Sequence, residues 1–394
     1  MTLPLFRAVA GLVTLLTWPA LTPALAAQTP PVLAPATAAP TPPAVTAKAF
    51  VLYDYHTGQV LAEKDSDLRA DPASLTKIMT AYVAFEALAR GDLKLDDPVD
   101  ISRNAWRTGG SRMFVEVDSQ VRAEDILHGI ITQSGNDASV AIAEHLAGAE
   151  ETFGQVMTET ARRLGMNDSQ FRNASGLPDP EHYTTAMDLA RLATATIANF
   201  PQYYPWYSLR SFTYNNITQP NRNRLLWWDS GVDGLKTGHT NSAGYCLVAS
   251  GTRGDMRLIA VTLGSPTNRQ RFRDAQALLT WGYRFFESRK LFAGGEERTR
   301  VRVWGGEPTE LALGLAQDAY VTVPRGQYKD LSAAVEVNGP VRAPVAKDTP
   351  MGMLRVRKGD EVVLERPLVA LTEVPQGGIF RRLMDAAVLW WQSE

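Results

Sequence analysis

The chain has 394 residues, 45% of them hydrophobic, with Lys+Arg 40 against Asp+Glu 42 and a formal net charge of −2. That length suits two or three domains whose core needs no metal or disulfide, and balanced charge without a basic block argues against nucleic acid as a partner. A single cysteine, Cys246, rules out an internal disulfide, and the five histidines lack paired metal-ligand spacing, so neither metal nor cofactor is expected.

Residues 1–26 read as a secretory leader: Arg7 gives the positive start, 8–18 is apolar, and Ala24-Leu25-Ala26 suits a cleavage site. The apolar run is short and flanked by Pro4, Pro19 and Pro23, which argues against a membrane span. The mature protein is therefore expected to be exported, where a lone buried cysteine is at home. Residues 27–47 are Pro/Ala/Thr-rich and nearly uncharged, and are expected to form an extended tether.

Folding is expected to begin at 48. Apolar runs at 49–53 and 59–63 flank 54–58 and predict a β-hairpin. Pro72 then precedes Ser74-Leu75-Thr76-Lys77 and the apolar residues Ile78, Met79, Tyr82, Val83, Phe85 and Leu88, with Gly91 as the stop. We read 74–90 as a helix buried on most faces. Residues i and i+3 share a face, which brings the Lys77 amine to the Ser74 hydroxyl. A serine needs such a base to act as a nucleophile. The tetrad alone is a weak signal; its apolar flanks strengthen it, because a lysine in a buried helix needs a reason to be there.

A short helix is expected over 123–132, then the turn Gln133-Ser134-Gly135-Asn136-Asp137, then a helix over 138–146. Ser134 and Asn136 are thus expected in a tight inter-helix turn, although Ser, Gly and Asn are also ordinary turn residues. Amphipathic helices are expected over 151–164 and 184–200, the second capped by Thr184 or Thr185, with a loop at 171–178 between them. Short strands are expected at 211–228 around Arg222. Lys236-Thr237-Gly238 is expected on a strand edge lining a cleft, where Gly238 lets a ligand approach the backbone. Strands at 244–250 and 256–263 and a helix over 271–288 follow. From 299 to 373, short alternating runs separated by Gly, Pro and Asp predict a small all-β sandwich. After Pro375, a stripe of Phe380, Leu383, Met384, Ala387, Val388 and Trp391 predicts an amphipathic helix lying in a membrane interface.

Ser74-x-x-Lys77, Ser134-Gly135-Asn136 and Lys236-Thr237-Gly238 follow in the order of the motif set shared by penicillin-binding proteins and β-lactamases. With Leu235 to Thr240, Leu278 to Gly282, the β-domain and the terminal helix, the chain resembles the low-molecular-mass penicillin-binding D-alanyl-D-alanine carboxypeptidases over about 48–394. The resemblance implies an α+β fold: a β-lactamase/transpeptidase-like domain (48–292) of antiparallel sheet and helical cluster, a β-sandwich domain (293–374) and an amphipathic anchor (375–394). It implies removal of the terminal D-alanine from peptidoglycan pentapeptide stems, β-lactams as covalent inhibitors, and a place on the periplasmic side of the cytoplasmic membrane.

It also implies roles. Ser74 attacks, Lys77 is the base with its pKa depressed by burial and Lys236, and Ser134 relays the proton. The Ser74 and His239 backbone N–H groups form an oxyanion hole, and Asn136 holds the substrate amide. Thr237 and Arg271 meet the terminal carboxylate, with Arg269 two residues away as the alternative and Arg222 a further candidate. A class A-like β-lactamase, a D,D-endopeptidase and a non-catalytic wall-binding scaffold are the rival readings. The first needs a glutamate in 167–180, which holds none.

Overall fold

The computed structural model describes residues 40–392, and of Trp391 and Gln392 only the backbone. The expected leader, and the tether up to residue 39, lie outside the described residues. The end of that tether is docked: Ala47 is buried, and the Thr46 hydroxyl donates to Asp274 Oδ2 at 2.9 Å.

The expected hairpin forms as β1 (Ala49–Asp54) and β2 (Val60–Lys64). Far along the chain come β3 (Val232–Thr240), β4 (Gly244–Arg253) and β5 (Met256–Ser265). Among the described residues these strands make one antiparallel sheet in the order β2-β1-β5-β4-β3, with β3 at an edge. Side chains alternate across it with the two-residue period of a strand. Val51, Val248, Ile259 and Val261 enter the core on one face, and Leu52, Leu247, Leu258 and Ala260 the core on the other.

The first face is covered by a helical cluster: α1 (Thr76–Arg90), α2 (Asn136–Ala147), α3 (Glu150–Arg163) and α4 (Ala186–Asn199). Helix α1 runs through the middle of this cluster and is buried on almost every side, which is why its sequence is apolar all round. Of the two candidate caps of α4, Thr185 is the one used; its side chain accepts from Asp188 N. The second face is covered by α5 (Asn268–Phe285), capped by Thr267.

The helix expected to reach residue 288 stops at Phe285. Phe286–Phe292 leaves instead as β6. Likewise, part of the expected strand region is a helical turn, Leu225–Trp228. From β6 to residue 370 strands dominate, with one short helical turn at Tyr328–Asp330: β7 (Glu297–Trp304), β8 (Glu310–Gly314), β9 (Ala319–Pro324), β10 (Leu331–Val337), β11 (Val341–Arg342), β12 (Pro350–Lys358) and β13 (Glu361–Ala370). Among the described residues, β6 pairs with β9, and the others form a sheet in the order β10-β12-β13-β8-β7-β11. The hairpin turn of the first block reaches this region: the Thr57 and Thr322 hydroxyls are 3.1 Å apart, and His56 stacks on Tyr320 at 4.0 Å. Helix α6 (Ile379–Gln392) ends the described chain.

Candidate active site

Ser74 lies in a tight turn, Ala73–Leu75, that leads into α1, two residues before the first residue of the helix in which the sequence placed it. The preceding Ala73 has φ 48°, a left-handed conformation that costs a residue with a Cβ about 1–2 kcal/mol. The surroundings hold the turn in place. Gly176 packs so closely that a Cβ there would lie 1.8 Å from Ala73 O, and its own φ of +80° also calls for glycine. From the other side, Gly238 of β3 meets the same turn, where a Cβ would lie 3.0 Å from Pro72 O and 3.2 Å from Ala73 Cβ. The missing side chain of Gly238 therefore lets β3 pack on the serine turn. This packing role stands beside the expected approach of a ligand to the Gly238 backbone and had no signal in the sequence.

Ser74 is half-buried, and Lys77 is 1% exposed. Lys77 Nζ lies 3.0 Å from Ser74 Oγ, 2.7 Å from Asn136 Oδ1 and 2.6 Å from Ser175 O. The last two atoms are acceptors only, and they take both N–H groups of a neutral amine. The lone pair is then left for the Ser74 proton. Burial pushes the Lys77 amine down to about 7, and the Arg222 guanidinium acts in the same direction. Burial, not Lys236, is thus the leading cause. Lys236 is itself held well below the usual lysine range, first by burial and then by Lys77.

Lys236 Nζ donates to Ser134 Oγ at 2.8 Å and to Thr237 O at 3.2 Å. Ser134 adopts φ 62° where the wide helical turn Gly129–Gln133 ends, which swings its hydroxyl onto the strand-edge lysine. Its hydrogen bond runs to Lys236; Lys77 bonds to Ser74, Asn136 and Ser175 instead. Asn136 is tied at both ends, since its Nδ2 also donates to Gly109 O at 2.6 Å. Ser74, Lys77 and Asn136 thus form one hydrogen-bonded group and Ser134 and Lys236 a second, near enough that the Lys77 charge acts on Lys236.

Thr237 is buried on β3 beside Lys236, whereas the His239 side chain is exposed and stacks on Tyr245 at 4.0 Å. Arg271, on α5, is 7% exposed and reaches the far side of β3, donating from Nη1 to Gly238 O at 2.9 Å. Burial lowers its guanidinium to about 10, which leaves it charged at neutral pH. Arg269 is exposed on the first turn of α5. Of the two arginines, Arg271 is the one against the motif strand. Arg222 donates to Gln133 O at 3.0 Å, one residue from Ser134.

Sequence reasoning missed three groups that build this cluster. The Asp137 carboxylate accepts from Met113 N and Ala138 N through Oδ1, and from Phe114 N and Val115 N through Oδ2. It fixes the loop whose Gly109 carbonyl holds Asn136. His182 bridges Thr76 Oγ1 at 2.9 Å and Arg172 N at 3.3 Å, tying the 171–178 loop to α1. Ser175 acts through its carbonyl. A buried aspartate directly after the second motif was a usable signal; a backbone oxygen leaves none.

A buried amine on an accessible serine, beside a second serine–lysine pair on a sheet edge, is the arrangement of a serine acyl-transfer enzyme. The comparisons agree with that class. Residues 36–267 match the family model for D-alanyl-D-alanine carboxypeptidase, and 286–376 match that for the C-terminal domain of penicillin-binding protein 5. The D-alanyl-D-alanine carboxypeptidase DacC of Escherichia coli is 43% identical over 354 residues, covering 88% of either chain. The crystal structure of penicillin-binding protein 5 from Haemophilus influenzae superposes with a TM-score of 0.80 at 38% identity, covering 85% of this chain and 99% of that one. Penicillin-binding protein D2 of Listeria monocytogenes, solved with ampicillin bound, gives 0.57 at 30% identity, covering 61% of this chain and 98% of its own. The chain belongs to the D-alanyl-D-alanine carboxypeptidase family.

Proposed function

We propose that the protein is a serine-type D-Ala-D-Ala carboxypeptidase that removes the terminal D-alanine of peptidoglycan pentapeptide stems. The observation that carries this reading is the Lys77 amine: buried, with both N–H groups engaged, and 3.0 Å from Ser74 Oγ. Lys77 takes the Ser74 proton as Oγ attacks the carbonyl between the two D-alanines. Backbone N–H groups of Ser74 and His239 receive the oxyanion. The tetrahedral intermediate collapses, the C–N bond breaks, and the leaving amine takes a proton passed through Ser134 from the lysine pair. Asn136 orients the substrate amide. Water then attacks the ester on Ser74 with Lys77 again accepting the proton, and the amine returns it to Ser74 Oγ as the ester C–O bond breaks. β-Lactams carry the same acyl chemistry and stall at the ester. Covalent labelling by a fluorescent penicillin, competed by a peptide ending in D-Ala-D-Ala, tests this reading; an unlabelled protein contradicts it.

The leaving residue bears a free carboxylate, which calls for cations and hydroxyls. The charged Arg271 behind β3, with Thr237 and Arg222, supplies them. Arg271→Ala is expected to lower kcat/KM for a peptide ending in a free carboxylate by about 10²-fold, since losing a hydrogen-bonded charge pair costs about 2–5 kcal/mol. Kinetics on the matching C-terminal amide should change little. Equal losses on both substrates would make Arg271 a prop for β3 instead.

The membrane reading concerns α6. Ile379, Phe380, Leu383 and Met384 are 71%, 88%, 65% and 70% exposed, an apolar face turned away from the sheet. Among the described residues no helix is long and apolar enough to cross a bilayer, and a helix with such a face lies flat in the interface. The proposed location is the periplasmic side of the cytoplasmic membrane. Truncation after Pro375 is expected to move the protein into the soluble fraction with activity on a small peptide unchanged. A truncated protein that still pellets with membranes puts the anchor elsewhere.

A further inference from the structure

Between α6 and the β-sheet lies a cleft of about 860 Å³, within the range of small-ligand sites. One wall is Trp304, at the end of β7, and Arg342 of β11, register partners across the short parallel ladder. The opposite wall is α6, with Arg382, Leu383 and Trp390. Asp385 clamps the two walls together: Oδ1 accepts from Arg302 Nη2 at 3.0 Å and Oδ2 from Gly305 N at 2.7 Å. The cleft's acid is therefore already neutralised by Arg302, whose guanidinium lies 3.9 Å over the Trp304 ring. Arg342 and Arg382 form no ion pair among the described residues. Two arginines without an ion pair therefore line one space.

Leu383 belongs to both the cleft and the exposed apolar face that it shares with Phe380 and Met384. An anion seated between the arginines is therefore within one residue of an apolar stripe. A soluble anion makes no use of the stripe, and an acyl layer alone makes no use of the cleft. One ligand chemistry uses both, a phosphodiester carrying acyl chains.

We propose that the cleft binds the headgroup of an anionic glycerophospholipid. Arg342 and Arg382 meet the phosphodiester oxygens, and the acyl chains run along the Leu383 face. The proposal rests on α6 lying on a membrane. It adds to that reading a lipid selectivity that depends on Arg342, a residue outside the helix.

The test is co-sedimentation of the full chain with vesicles of phosphatidylcholine alone or doped with phosphatidylglycerol. Doping is expected to tighten binding of the wild type. Arg342→Ala should weaken binding to the doped vesicles about twentyfold, because a guanidinium fork on phosphate adds to bare attraction. Arg342→Lys should recover part of the loss. Arg381→Ala, which removes one charge of α6 outside the cleft, should cost about fivefold, the attraction of a single charge for the surface. Binding of all variants to pure phosphatidylcholine should be equal. Equal losses for Arg342→Ala and Arg381→Ala would overturn the proposal in favour of diffuse attraction. Displacement from doped vesicles by inorganic phosphate, with saturable phosphate binding lost in Arg342→Ala, would overturn it in favour of a soluble anion. Wild-type protein that binds both vesicle types equally leaves the membrane reading standing and refutes the cleft; wild-type protein that binds neither refutes both.

Discussion

Ser74→Ala is expected to abolish D-alanine release and covalent penicillin labelling together. Without Oγ no acyl-enzyme forms, and what remains is catalysis by the other groups of the site. The analogous loss of a serine nucleophile lowers turnover by about 10⁴-fold or more. The substitution removes one half-buried atom from a turn held by Gly176 and Gly238, so the fold should be kept and thermal unfolding should barely move. Labelling retained in a folded Ser74→Ala protein would place the nucleophile elsewhere.

Lys77 should carry the next largest effect. A base must be neutral to accept a proton, and a group whose pKa lies near 7 gains its neutral form as pH rises through that value. Acylation is therefore expected to rise with pH across neutrality and level off above it. Below neutrality it should fall tenfold per unit as the amine becomes charged and its lone pair is lost. Lys77→Arg keeps the charge and much of the length, but the guanidinium stays protonated. Both Lys77→Arg and Lys77→Ala should lose about 10²–10⁴-fold in acylation, the usual scale for a general base. Pre-steady-state acylation by penicillin at several pH values reads this directly. A flat profile, or an active Lys77→Arg protein, would remove Lys77 from the base role.

The main sheet was legible because its strands are buried on both faces and read as apolar runs bounded by turn residues, such as 244–253 and 256–265. Helix α1 was legible because Pro72 and Gly91 bracket an apolar stretch. The i,i+3 spacing of Ser74 and Lys77 is local geometry, and the structure brings the two atoms to 3.0 Å. The meeting of Ser134 with Lys236, 102 residues apart, was legible only through the order of the three motifs, since no local rule links a turn to a distant strand.

What could not be read was long-range or main-chain. Phe286-Glu287-Ser288 continues the mixed pattern of α5; only pairing with 319–324 makes it a strand. The Ser175 carbonyl that accepts one hydrogen bond from Lys77 Nζ has no sequence signature. That Gly238 also packs on the turn carrying Ser74, at Ala73, 165 residues earlier in the chain, could not be read from the sequence. Asp385 is, by sequence pattern alone, a polar residue of an amphipathic helix. Its partner Arg302 lies in a sheet strand 83 residues away, so its docking role depends on tertiary contact.

The central claim is turnover at a D-Ala-D-Ala bond through Ser74, and the most direct measurement is D-alanine release from a purified pentapeptide stem. The account predicts one free D-alanine for each pentapeptide consumed, with a tetrapeptide as the other product and no release by Ser74→Ala. A wild-type protein that is labelled by penicillin at Ser74 yet frees no D-alanine from the pentapeptide would contradict it.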